Sequence, residues 1–239
     1  MFNEIDHQYS QYKNQELDWL TSDTKELYLK NIETNYNQLS LNGWVDRRFT
    51  YRFNSHGFRS VEFSHDDSIM FFGCSFTCGI GLPLDSTWPF NVASALQLKC
   101  FNLGVGAAGA GTSFKLANHY IPQIQPKLVV YLEPPPGRFS INSAIFNHIC
   151  NLNIGDYDAD SIFKDFYNHW LSNPENSNLD YLKNKLAIEA LCHQNKIKFV
   201  YACCDEMHKL DLARDLGHPG IKSNLQFADL ILNRISTNN

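Results

Sequence analysis

No apolar run in this 239-residue chain approaches the ~20 residues that a membrane-spanning helix needs. The first residues, MFNEIDHQYSQYKNQELDW, lack the basic stretch and apolar core of a secretory signal, so the expected location is the cytoplasm. Basic blocks are missing as well. Lys and Arg number 20 against 25 Asp and Glu, a net charge of −5, which argues against nucleic acid as the partner. There is no Gly/Ser/Pro-rich linker, no internal repeat and no low-complexity tract. Charged residues make up only 19% and hydrophobic ones 44%, the composition of a folded globule rather than of a disordered chain. The length suits one decorated α/β domain better than two.

Recognisable metal spacing is absent too. The seven cysteines are Cys74, Cys78, Cys100, Cys150, Cys192, Cys203 and Cys204, an odd number that fits free thiols in a reducing compartment. Cys74-x3-Cys78 and the vicinal Cys203-Cys204 are the clusters, and neither has the paired Cys/His spacing of a structural zinc site. Small buried hydrophobes are the expected role. Neither a metal nor an organic cofactor is expected.

What is present reads as alternating strands and helices. Residues 1–50 form an N-terminal extension expected to pack on the core, with a helix over Asp23–Leu39, Asp23-x-x-Glu26 as its capping box and Leu27, Ile32 and Tyr36 on its apolar stripe. Residues 51–239 form the main domain. Short apolar runs at Ile69–Phe72, Cys100–Leu103, Leu128–Leu132 and Ile197–Ala202 predict four buried strands. A helix opens at Thr87-Trp88-Pro89, capped by Asp85 or Ser86. Another covers roughly 179–195, and a last one spans Ile221–Ile231 with Ile221, Leu225, Ala228 and Ile231 on one face. Nearly all-apolar strands alternating with helices imply a mostly parallel sheet covered on both faces. Residues 138–178 show no clean periodicity.

In such sheets ligands bind beyond the carboxyl ends of the strands. After the first strand comes Gly73-Cys74-Ser75, a serine on a glycine-bounded loop. A lone hydroxyl is a poor nucleophile and needs a base. Asp215 and His218, three apart, can face the same way on one turn. The carboxylate can then fix the imidazole tautomer while the other ring nitrogen takes the serine proton.

These residues resemble the SGNH (GDSL-like) hydrolases, including bacterial and phage members, over about residues 50–234. Gly73-x-Ser75-x-Thr77-x-Gly79-x-Gly81 is similar to the first block of that family, with Cys74 where an aspartate is usual. Asn102-x-Gly104-Val105 is similar to the second block, and Asp215-x-x-His218-Pro219-Gly220 to the last. Tyr51-x-x-Asn54-Ser55-x-Gly57-Phe58-Arg59 is similar to the family's lead-in. The resemblance implies a three-layer α/β/α sandwich of flavodoxin-like type and a serine esterase. Ser75 would be the nucleophile, His218 the base and Asp215 its orienter. The Ser75 N–H and a second-block N–H, from Ala107 or Gly106, would form the oxyanion hole. Small acyl esters, including O-acetyl groups on a carbohydrate, are the implied substrates; a phage member would also be expected with the virion.

Two departures stand out. Ala107 falls where the second block has glycine, and Pro136 falls where the third block supplies an asparagine donor. Proline has neither a side-chain nor a backbone donor. Arg138 is the nearest replacement, either as donor or as a seat for an anionic group; pairing with Glu133 is the alternative. Three rival readings remain open at this point: an acyltransferase on the same triad, a degenerate binding or structural protein, and a thiol enzyme using Cys74 or Cys78.

Overall fold

The computed structural model of the chain describes residues 2–143, 148–152 and 173–237. Its elements, in order, are β1 (Glu16–Leu17), α1 (Lys25–Thr34), α2 (Tyr36–Leu41), β2 (Tyr51–Arg52), β3 (Ser68–Phe72), α3 (Ser75–Cys78), α4 (Trp88–Ala95), β4 (Lys99–Asn102) and α5 (Ala110–Ile124). There follow β5 (Leu128–Glu133), β6 (Phe139–Ser143), β7 (His148–Leu152), α6 (Pro174–Gln194), β8 (Lys198–Cys203) and α7 (Ile221–Thr237).

Four strands form the central sheet in the order β4-β3-β5-β8, all parallel. Every residue of β3 is buried, because both faces of the sheet are covered. Strand alternation sorts the side chains. Ile69, Phe71, Val130, Leu132, Val200 and Ala202 meet Trp88 and Val92 of α4 and Phe227 and Ile231 of α7. Met70, Phe72, Val129 and Tyr131 meet Leu116, Tyr120 and Ile121 of α5 and Ile188 of α6. The result is the three-layer α/β/α sandwich expected from the sequence. β6 and β7 pair as a separate antiparallel hairpin between β5 and α6. Among the described residues no helix is long and apolar enough to cross a membrane.

Strand order reverses between β3 and β5: the chain leaves β3 toward β4 on one side and later leaves β5 toward β8 on the other. Their carboxyl ends therefore diverge into a crevice. The strands predicted from sequence agree with β3, β4, β5 and β8 to within a residue at each end.

Several local readings are corrected. The helix expected over Asp23–Leu39 is two helices broken at Asn35, and its cap is Thr24, whose Oγ1 accepts the Leu27 N–H at 3.1 Å. Asp23 is instead a buried ion-pair partner of Arg214, and Tyr28 and Asn31, not Leu27 and Tyr36, are the buried positions of α1. Asp85 and Ser86 lie in a preceding 3₁₀ turn, while Asn224 Oδ1 of α7 accepts the first N–H of α4, from Trp88, at 3.0 Å. On α7 the inward face runs through Asn224, Phe227, Ala228, Ile231 and Ile235, leaving Leu225 exposed. Helix α5 grows directly from the Gly104–Gly111 stretch, which periodicity does not mark as helical. Residues 153–172, within the segment without periodicity, lie outside the described residues, as does the Cys150 side chain.

Candidate active site

α3 is a single turn that follows β3 after Gly73 and Cys74, so Ser75 sits at its first position with its N–H free of any intrahelical acceptor. Gly104 brings the second loop against this turn: a Cβ there would lie 2.4 Å from the Cys78 N, so no larger residue fits. Asn102 locks the contact, donating to Thr77 O at 2.7 Å and accepting the Gly104 N–H at 3.0 Å. Buried Arg59 fastens the far end. Its guanidinium stacks on Tyr51 and donates to the carbonyls of Cys78, Gly79 and Leu82.

Asp215 and His218 lie on a tight turn between Leu212 and Pro219, which form a β-bridge. Asp215 Oδ1 accepts the N–H groups of Gly217 and His218, both at 3.0 Å, and Oδ2 accepts from His218 Nδ1 at 2.6 Å. The last helix starts after this turn at Ile221, as the sequence predicts, where Asp211 receives the Lys222 and Ser223 N–H groups at 2.9 Å. Gly220 is required by that cap: a Cβ there would meet the Asp211 carboxyl at 2.5 Å. Burial opposes ionisation of Asp215, but the His218 bond and charge and the two N–H donors outweigh it and hold the carboxyl at about 2. It is ionised at any neutral pH and fixes Nδ1 as the donor, leaving Nε2 as the acceptor.

Ser75, Gly106, Ala107, Pro135, Pro136, Arg138 and His218 line one cleft of about 520 Å³. The tertiary structure thus gathers the residues singled out from the sequence, with Asp215 directly behind His218. Phe76 packs edge-on against the imidazole, with ring centroids 5.7 Å apart. Ser75 and His218 share the cleft without a hydrogen bond between them; catalytic hydrogen bonds commonly tighten only around substrate.

The two oxyanion candidates separate. The Gly106 N–H donates to Tyr9 Oη at 2.9 Å and is occupied. Ala107 adopts the left-handed conformation, φ 59°, that its glycine counterpart would take without strain, and it lines the cleft. Pro136 also lines the cleft and offers no donor. Arg138 makes no ion pair with Glu133 among the described residues. Glu133 accepts from Tyr201 Oη instead, while Arg138 lies beside Cys74 with its buried Nη1 lacking a hydrogen-bond partner. Cys74 and Cys78 are wholly buried and line no part of the cleft, and burial pushes the Cys78 thiol up to about 11. Neither thiol is therefore placed to attack a substrate held in this cleft.

The N-terminal segment contributes groups that the sequence did not reveal. Gln8, Thr21 and Ser22 form one wall of the cleft, and Ser22 Oγ donates to Asp215 Oδ2 at 2.8 Å across 193 positions of sequence. No local signal marks such a residue. Arg214, the neighbour of Asp215, is sandwiched between Trp19 and Phe49 and bound to Asp23, so the same segment also holds the histidine turn in place.

These features define an α/β protein with a serine, a histidine and an ionised aspartate at the carboxyl end of a parallel sheet. No family model matches the chain, and no curated protein does. Solved structures similar to it include a member of the lipolytic protein G-D-S-L family from Veillonella parvula (12% identity, 70% of this chain and 96% of that one, TM-score 0.37). Others are the psychrotrophic esterase EstA from a Pseudoalteromonas species (16%, 73% and 100%, TM-score 0.36) and a family two carbohydrate esterase from Cellvibrio japonicus (15%, TM-score 0.38). The last alignment spans 72% of this chain and 61% of the esterase.

Proposed function

We propose that this protein is a serine ester hydrolase. The observation that carries the reading is the Asp215–His218 pair, hydrogen-bonded at 2.6 Å and turned into the cleft that Ser75 lines. His218 Nε2 takes the Ser75 proton as Oγ attacks the acyl carbon. The oxyanion that forms is met by the N–H groups of Ser75 and Ala107. Collapse breaks the ester C–O bond, and the imidazolium passes its proton to the leaving alkoxide, giving an acyl-serine and an alcohol. Water then repeats the sequence and releases the acid. Small acyl esters suit the cleft, and O-acetylated carbohydrate is the substrate class we favour on the sequence resemblance. Transfer to an acceptor other than water uses the same residues and is told apart by whether that acceptor outcompetes water for the acyl-enzyme.

The test is labelling of the native protein with a fluorophosphonate, followed by peptide mapping. An activated serine attacks phosphorus and displaces fluoride, so Ser75 should carry the adduct and His218→Ala should lose it. Absence of any adduct at Ser75 would favour a binding protein on the same scaffold, a reading to which Pro136 and the unbonded Ser75–His218 pair lend some support.

Arg138 takes the place of the missing third donor in this proposal. Its charge-assisted bonds are roughly twice as strong as those of a neutral amide, and among the described residues its Nη1 has no hydrogen-bond partner. Arg138→Ala should lower kcat by about 10-fold or more, and Arg138→Lys should recover only part, because the planar fork is lost. Steady-state kinetics on p-nitrophenyl acetate decide this. Unchanged turnover in the alanine variant would remove Arg138 from the site.

A further inference from the structure

Two thiols that the proposed chemistry does not use lie directly behind Ser75. Cys74 immediately precedes the serine, and its carbonyl accepts the Thr77 and Cys78 N–H groups that form α3. Its side chain is wholly buried in the apolar layer beneath α4 and α7. Cys204 opens the 3₁₀ turn after β8 and belongs to the same layer. The sulfurs are 3.8 Å apart, reaching across the end of β5 to join strands that are not neighbours in the sheet. Cys204 also lines a second cavity of about 340 Å³, separated from the cleft by the Pro135-Pro136 ridge that both share. Small oxidants therefore meet the pair at Cys204, from a side that substrate does not use, while Cys74 lies wholly buried behind it.

We infer that Cys74 and Cys204 are a reversible dithiol–disulfide site that couples the Ser75 loop to the end of β8. Hydrogen peroxide is the oxidant class. A thiolate of the pair attacks one peroxide oxygen, the O–O bond breaks, hydroxide leaves and takes up a proton as water, and the sulfur becomes a sulfenic acid. The second thiol then attacks that sulfur, the S–O bond breaks, and a second water departs. Two thiols and one peroxide thus give one disulfide and two waters.

The surroundings favour the reaction. The contact with Cys204 and the Arg138 guanidinium beside it lower the Cys74 thiol below its ordinary value against the opposing effect of burial, and the same contact raises Cys204, so the pair favours a thiolate on Cys74. A disulfide requires the sulfurs to close to about 2.05 Å, which draws Cys74 toward β8. The residue moved is the one whose carbonyl anchors α3 and whose peptide bears the Ser75 N–H. Oxidation also removes the negative sulfur facing Arg138. Bond formation is independent of the hydrolase reading; only its effect on turnover rests on that reading.

The experiment treats the full-length native protein with hydrogen peroxide, blocks residual thiols and maps peptides without reduction. A Cys74–Cys204 cross-link is expected, reversed by dithiothreitol, retained in Cys203→Ala and absent in Cys204→Ala. Because the bond closes a loop of 130 positions, the thermal midpoint should rise in the oxidised wild type and not in Cys204→Ala. Ester turnover should fall by at least ~10-fold on oxidation of wild type, as displacing an oxyanion donor predicts, and stay unchanged in oxidised Cys204→Ala. A vicinal Cys203–Cys204 bond, or sulfinic acid at Cys204 with no cross-link, overturns the inference. A cross-linked protein that turns over ester at the reduced rate overturns the coupling to Ser75. A cross-link in a protein without esterase activity in either state counts for the disulfide and against the hydrolase.

Discussion

Ser75→Ala is expected to lower ester turnover by on the order of 10⁴-fold or more while leaving the fold intact. The hydroxyl is small, and Ser75 Oγ holds no hydrogen bond in the described structure that alanine would break. Circular dichroism and the urea midpoint should therefore match wild type. Asp215→Asn should cost about as much, on the order of 10⁴-fold, because an amide can present its NH₂ to Nδ1 and select the wrong tautomer. The pH profile separates the groups. With Asp215 held at about 2 by its donors, its carboxylate does not titrate in the working range, so any acid limb above pH 4 belongs to another group. The stability it contributes is complete above the ordinary carboxylate value near 4 and is lost only as pH falls toward 2. Turnover by Ser75→Ala within a factor of ten of wild type would end the serine mechanism.

Asp23→Ala is expected to destabilise the protein by about 3–5 kcal/mol, measured by urea unfolding, because it strands a buried guanidinium. Arg214 and Asp23 have side chains only 2% and 1% exposed. Nε and Nη2 of Arg214 reach the carboxylate at 2.7–3.1 Å, and Tyr51 Oη donates to it as well. Most of the loss comes from the unpaired Arg214 rather than from the attraction removed. Joint replacement of both by apolar residues of similar volume should accordingly cost much less than Asp23→Ala alone. Turnover should fall with Asp23→Ala even below the unfolding transition, because Arg214 adjoins Asp215 and ties its turn to the N-terminal segment. A loss under about 1 kcal/mol would mean that Arg214 finds water or another acceptor, which its place between Trp19 and Phe49 does not suggest.

The sequence by itself determined the sheet and the order of the chemistry along it. Runs such as Ile69–Phe72 and Leu128–Leu132 are apolar at every position because both faces of a parallel strand are buried, and that pattern is local. Ser75 after one strand and Asp215-x-x-His218 before the last helix were legible for the same reason: each motif is set within one turn of backbone. The oxyanion candidates were legible as positions but not as donors, since only the fold shows that Tyr9 occupies the Gly106 N–H. Capping was misread wherever the partner came from afar. Asp23 was drawn into an ion pair 191 positions away, and Asn224 capped α4 across 136. Arg138 beside Cys74, the Cys74–Cys204 contact and Ser22 behind Asp215 were decided by tertiary structure alone. Periodicity reports which face of an element is buried; it carries no record of which distant side chain will arrive there. That depends on strand order, and the strand order places the ends of β3, β5 and β8 side by side.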